Sequence, residues 1–179
     1  MKTKEDKRTY SSSDVLEDQI EHTQVIVQAY NHLYPSETKK KSDMLKLLFD
    51  KIGKKSIIEQ PFFCYYGKNI SIGENSYANE SCIFYDKAKI SIGNNVIIST
   101  NVEIYTAMEP VKKPAQPVTI GDNVWIGGCV KIYPGVSIGE NSLIVAGSKV
   151  KNDIPPNTIA MGDPAKVVKE IEDVDEVDD

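Results

Sequence analysis

The sequence predicts a mainly β protein, a parallel β-helix that carries a pair of α-helices at its N-terminus. Three observations predict it. From Ile120 onward Ile120, Ile126, Ile132, Ile138, Ile144 and Val150 recur every six residues, and the same register runs upstream through Ile72, Ala78 and Phe84 and through Ile92, Ile98 and Ile104. A period of six fits neither the 3.6 of a helix nor the 2 of a half-buried antiparallel strand, so the chain has to turn a corner every six residues. The segments Gly-Glu-Asn, Gly-Asn-Asn, Gly-Asp-Asn and Gly-Glu-Asn that begin at residues 73, 93, 121 and 139 supply the residue types a tight corner accepts. Before Gly53 the apolar spacing is helical instead.

Residues 1–13 are polar and read as a flexible arm, with Ser11, Ser12 and Ser13 leading to Asp14 as a helix cap. From Val15 to Tyr30, Leu16, Ile20, Val27 and Tyr30 line one helical face, and Asn31 with Pro35 stops it. Ser36 is the expected N-cap of a second helix, in which Leu45, Leu48, Phe49 and Ile52 form an i, i+3, i+4, i+7 stripe that Gly53 ends. The helical segment is therefore 14–56 and the β-helix 57–169, whose twelve apolar positions make four triangular coils. Two interruptions fall at corners, where loops point outward. A two-residue excess lies around Asp86 and Lys87, and an excursion loop at about 105–119, stiffened by Pro110, Pro114 and Pro117, separates Ile104 from Ile120.

Composition narrows the classes. With 179 residues, 40% hydrophobic and 26% charged, the chain matches one ordinary globular domain, not a disordered, collagenous or membrane protein. No apolar run reaches 18 residues, so the reading is a soluble, cytoplasmic protein with no membrane partner. The net charge of -5 is local: residues 170–179 form an acidic tail with seven carboxylates and no base, which leaves the rest at +2 and offers nucleic acid no strongly basic surface. Cys64, Cys82 and Cys129 are widely spaced and only His22 and His32 could join them, so they read as buried free thiols, with no metal site.

The run Ile120-Gly-Asp-Asn-Val-Trp-Ile-Gly-Gly-Cys-Val, then Pro134-Gly-Val-Ser-Ile-Gly, Ala146-Gly-Ser, Asp153-Ile-Pro-Pro-Asn and Gly162-Asp-Pro-Ala-Lys, resembles the hexapeptide-repeat O-acetyltransferases that acetylate galactosides or maltose. Pro61-Phe-Phe-Cys-Tyr-Tyr-Gly, Tyr77-Ala-Asn and Tyr30-Asn-His extend the resemblance over about residues 9 to 170. It implies a left-handed β-helix, a homotrimer, acetyl-CoA as co-substrate bound between neighbouring subunits, and a small hydroxyl-bearing acceptor. The family's base is a histidine before a proline. Here Glu109 holds that place, in Tyr105-Thr-Ala-Met-Glu-Pro, as either a replacement base or a solvated loop charge.

By the same resemblance Asn79 and Tyr77 stand on the acceptor side, and Tyr65 fills a place where relatives carry a small or acidic sugar contact. Trp125, Gly128, Ala146, Gly147 and Ser148 match the wall of the pantetheine channel, and Lys151, Lys166 and Lys169 the basic residues near the CoA phosphates. Packing and ordinary surface charge explain the same residues in any such solenoid. The implied function is acetyl-CoA-dependent O-acetyl transfer, altered by Glu109; the alternative is a non-catalytic trimer that binds or regulates. A γ-carbonic anhydrase is excluded, because its zinc needs three histidines on the coils.

Overall fold

The computed structural model describes residues 12–108 and 114–171, with side chains from residue 18 onward. Two helices, α1 (Ser12–Asn31) and α2 (Thr38–Leu48), precede a parallel solenoid of about five turns. Each turn contributes one short strand to each of three sheets. Sheet A holds Lys51–Ile52, Ile70–Ile72, Ile90–Ile92, Val118–Ile120 and Ser137–Ile138. Sheet B holds Ile57–Ile58, Tyr77–Ala78, Ile97–Ile98, Trp125–Ile126, Leu143–Ile144 and Thr158–Gly162, closed by the antiparallel strand Ala165–Glu170. Sheet C holds Phe62–Cys64, Cys82–Tyr85, Glu103–Tyr105, Lys131–Ile132 and Lys149–Val150.

The six-residue register is the inside of this prism. Ile72, Ile92, Ile120 and Ile138 stack in sheet A, and Ile98, Ile126 and Ile144 in sheet B, all buried. The residue two positions before each strand's inward aliphatic faces inside as well, as Val96, Val102, Val124, Val130 and Val136 do. At the corner from sheet A to sheet B the backbone is left-handed, at Lys55, Asn75, Asn95, Asn123, Asn141 and Asn157. Asparagine tolerates that conformation better than most side chains. Its amide then serves a second purpose: Asn95 donates to Asn123 (3.0 Å), Asn123 to Asn141 (2.9 Å) and Asn141 to Asn157 (2.8 Å), a ladder along the edge. Gly73 is required there for another reason, since a Cβ would lie 2.6 Å from the Gly93 carbonyl one turn away.

Several expectations are corrected. The solenoid begins at Lys51, not at residue 57, and its first coil, Ile52, Ile58 and Cys64, obeys the same six-residue spacing. Ile52 therefore belongs to sheet A, and Phe49 is the C-cap of α2, not part of its interior. Glu37, not Ser36, is the N-cap. Its carboxylate accepts the Tyr34 N–H (2.9 Å) and pairs with Lys40. α1 starts at Ser12, two residues before Asp14. Cys64 and Cys82 are buried, but Cys129 is exposed, because it occupies a corner at φ 58° outside the inward register.

The helices cover the edge that the first coil would otherwise leave open. The Asn31 amide exchanges two bonds with the Phe62 backbone, donating to its carbonyl (2.8 Å) and accepting its N–H (2.9 Å), as a neighbouring strand would. Gln24 donates to the Cys64 carbonyl (2.9 Å), and Tyr30 donates its hydroxyl to the Ile58 carbonyl. Phe49, Phe62 and Phe84 then continue the core edge to face, with centroids 5.7 and 5.1 Å apart.

Candidate active site

Corners are where this scaffold can vary, and the candidate residues fall on two separate parts of it. The first group lies on the edge between sheets C and A. Tyr65, Asp86 to Ala88 and Thr106 stack there, in the corners that follow coils one, two and three. Thr106 fixes the root of the excursion loop: its N–H and hydroxyl donate to the Tyr85 carbonyl (3.1 and 2.7 Å), and its oxygen accepts the Ala88 N–H (2.9 Å). Glu109 lies three residues further on, outside the described residues.

Asp86 ties this edge together. Its Oδ1 accepts the N–H groups of Tyr65 (2.8 Å) and Tyr66 (3.0 Å), and its backbone carbonyl accepts the Asn69 amide (2.6 Å). Oδ2 is buried with no partner among the described residues. Burial pushes the carboxyl up to about 6, against the pull of those backbone N–H groups. Beside it, α1, the last turn of α2 and the two corners enclose a cavity of about 870 Å³, with Ile26, Leu47 and Leu48 as an apolar wall and His22, Asn69 and Lys87 among its polar residues.

Tyr65 is part of a column. The residues after each inward position of sheet C, Tyr65, Tyr85, Tyr105 and Tyr133, follow one another at centroid distances of 5.6, 4.7 and 6.2 Å, the middle pair stacked at 6°. Lys151 occupies the fifth place, its Nζ 5.5 Å from the Tyr133 ring. The phenol of Tyr65 is thus held by Tyr85, with Lys87 Nζ 5.8 Å from its centroid.

The second group lies on sheet B and on the corner from B to C. Ile57, Tyr77, Ile97, Trp125, Leu143 and Ile159 are in register and face outward, with Trp125 53% and Ile97 47% exposed. Burial and the neighbouring Glu59 and Glu80 push the Tyr77 hydroxyl up. Asn79 stands at the corner after Tyr77, its Oδ1 accepting the Glu80 N–H (2.8 Å). Gly128, Ala146 and Gly147 turn the corresponding corners above it, and the N–H groups of Thr100, Gly128 and Ala146 have no acceptor among the described residues. The Ser148 side chain points inside instead, donating to the Val145 carbonyl (2.6 Å) and accepting the Gly162 N–H (3.2 Å). Lys166 and Lys169 sit on the closing strand, exposed, while Lys149 and Lys151 both hold Asp163 (2.6 and 2.8 Å).

In a triangular prism the C–A edge is opposite sheet B. The packed core therefore separates the two groups within one chain. Sequence reasoning placed residues of both groups at one site; it located the two-residue excess at Asp86 and Lys87 but gave neither Asp86 nor Thr106 a role. The signal for Asp86 was present, since two extra residues enter the register both between Cys64 and Ile72 and between Phe84 and Ile92.

Known proteins share this arrangement. The family model for bacterial transferase hexapeptide (six repeats) matches residues 117–152. The galactoside O-acetyltransferase of Escherichia coli is 44% identical over 154 residues, 82% of this chain and 76% of that protein. The chain belongs to the hexapeptide-repeat O-acetyltransferase family. A solved maltose O-acetyltransferase from Clostridium difficile superimposes with a TM-score of 0.87 at 45% identity, covering 91% of each chain. The hexapeptide-repeat acetyltransferase VCA0836 from Vibrio cholerae, solved with acetyl-CoA, gives 0.85 at 31% identity over 91% of each. The fold of this acetyltransferase chain is accordingly the left-handed parallel β-helix with a helical pair at its start. Among the described residues no helix is long and apolar enough to cross a membrane, and no group of three His, Cys, Asp or Glu could hold a metal ion.

Proposed function

We propose that the protein transfers the acetyl group of acetyl-CoA to a hydroxyl of a small acceptor, as a homotrimer whose active sites form between copies. The observation that carries this reading is the separation of the two residue groups onto an edge and the opposite face, which one chain cannot join and a second copy can. The outward column through Ile57, Ile97 and Trp125 gives that second copy an apolar face to cover.

On the donor side, the exposed Trp125 lies beside a row of backbone N–H groups at Thr100, Gly128 and Ala146, one per coil. Those donors suit the amide carbonyls of pantetheine, and the small corners at Gly128, Ala146 and Gly147 let the chain approach. Lys166 and Lys169 are the cations for the CoA phosphates, with Lys151 held near by Asp163. On the acceptor side Glu109 takes the proton from the acceptor hydroxyl, whose oxygen attacks the thioester carbonyl. The new ester C–O bond forms, the C–S bond breaks and CoA leaves as the thiol with that proton. Asn79 and Tyr77, from the neighbouring copy, orient the hydroxyl.

Calorimetry with acetyl-CoA and thioester consumption against a panel of hydroxyl and amine acceptors test it. Glu109→Gln is expected to lower turnover at least about 100-fold, and an undiminished rate overturns the role of Glu109. If acetyl-CoA binds and no acceptor consumes it, the reading becomes a non-catalytic binding trimer, which the glutamate in the histidine's place favours.

A further inference from the structure

The first corner from sheet A to sheet B breaks the rule that the other five obey. Asn75, Asn95, Asn123, Asn141 and Asn157 take the left-handed conformation, whereas Lys55 takes it at φ 61° in the first coil. Lysine is a poorer occupant of that conformation than asparagine. Nothing in the ladder compensates for it, because an ammonium has no acceptor to offer a neighbouring amide.

What the lysine gains is a place in a cavity of about 270 Å³ between α2 and this corner, shared with Lys46, Lys54, Ser42, Ser56 and the Gly53 backbone. Three lysines line one small space. Lys46 has only a long contact with Asp43 (3.8 Å), and among the described residues no carboxylate pairs with Lys54 or Lys55. The corner itself is fixed, since Gly53 N–H donates to the Ile72 carbonyl (3.0 Å) and the Lys54 carbonyl accepts the Asn75 N–H (2.9 Å). Like charges that line one concave space are relieved by a bound anion.

We propose that this cavity is a binding site for a phosphoryl group, held by Lys46, Lys54 and Lys55 and separate from the acetyl-transfer site. It lies at the N-terminal end of the prism. The lysines expected to meet CoA, Lys166 and Lys169, are on the strand that closes the opposite end. A tetrahedral dianion has acceptors for all three lysines that line the cavity, and the apolar Leu45 and Ile52 beside them leave space for a short organic group.

Titration with inorganic phosphate at constant ionic strength, followed by calorimetry and amide chemical shifts, tests the site. Saturable binding is expected, with perturbed amides at Gly53 to Ser56. Lys55→Asn restores the residue used at every later corner from sheet A to sheet B, so it is expected to raise the melting temperature of the free protein by about 2 °C while weakening phosphate binding at least fivefold. Lys54→Gln weakens it similarly, and Lys51→Gln, outside the cavity, leaves it unchanged. Glycerol 3-phosphate identifies the source: tighter binding than inorganic phosphate assigns the site to a phosphorylated metabolite, weaker binding to the free ion. No saturation below about 10 mM phosphate, an equal response to chloride, or a Lys55→Asn protein that binds as tightly as wild type overturns the proposal.

Discussion

Asp86→Asn isolates the energetic role of the carboxylate that joins the corners beside the candidate site. The side chain is fully buried; Oδ1 accepts two backbone N–H groups and Oδ2 meets no partner among the described residues. In the unfolded chain the group titrates near its ordinary 3.8, and in the fold burial holds it at about 6. Between those values the folded protein binds the extra proton. Stability from this group is therefore greatest below pH 4, falls as pH rises towards 6, and is level above. At 1.36 kcal/mol per pH unit, a window of roughly two units amounts to about 3 kcal/mol. Asparagine keeps the shape and the Oδ1 acceptor and does not ionise. Urea unfolding of both proteins from pH 3 to pH 8 should show the wild type losing about 3 kcal/mol relative to Asp86→Asn, nearly all of it below pH 6.5. Parallel curves would refute the argument, and a difference moving the other way would mean that the two N–H bonds outweigh burial.

The asparagine ladder offers a second check: Asn123→Ala loses both the left-handed preference at φ 58° and two amide bonds, at a cost of about 2 kcal/mol. Asn123→Gly keeps the backbone freedom and should cost about half as much in the same unfolding experiment. A third check concerns the proposed sharing of the site between copies. Mixing equal amounts of Glu109→Gln and Asn79→Ala chains, unfolding and refolding them together, should restore about one quarter of wild-type turnover, because one interface in four pairs an intact edge with an intact face. No recovery in reassembled trimers would place both residues in one subunit's site.

The solenoid was legible because its interior is one-dimensional. Each coil repeats the same two inward positions, so Ile72 to Val150 announce themselves by counting alone. The first coil was obscured where two periodicities coincide: Leu45, Leu48, Phe49 and Ile52 fit a helical face, while Ile52, Ile58 and Cys64 fit the coil. Gly53 decides between them, since a Cβ there would lie 2.4 Å from the Gly73 backbone, the contact of a corner and not of a helix end. Cys129 was misjudged by residue type where register would have placed it outside. The site was less legible, because Tyr65, Asp86 and Thr106 meet only when three successive coils are stacked, and because the edge and the face are separated by a core that sequence order does not reveal.

Departures from the register consequently carry more functional information than its observance. An inward isoleucine in this fold is constrained from above and below by identical neighbours, and changing it opens a cavity or overfills the prism. A corner has only one side to satisfy. The chain spends its irregularities there: the two-residue excess that brings in Asp86, the excursion that follows Thr106, and the lysine where five asparagines stand in turn. The first lies beside the 870 Å³ cavity, which Lys87 lines, and the third on another edge beside the 270 Å³ cavity, which Lys55 lines. Irregularity and concavity coincide twice in a molecule that is otherwise a repeat.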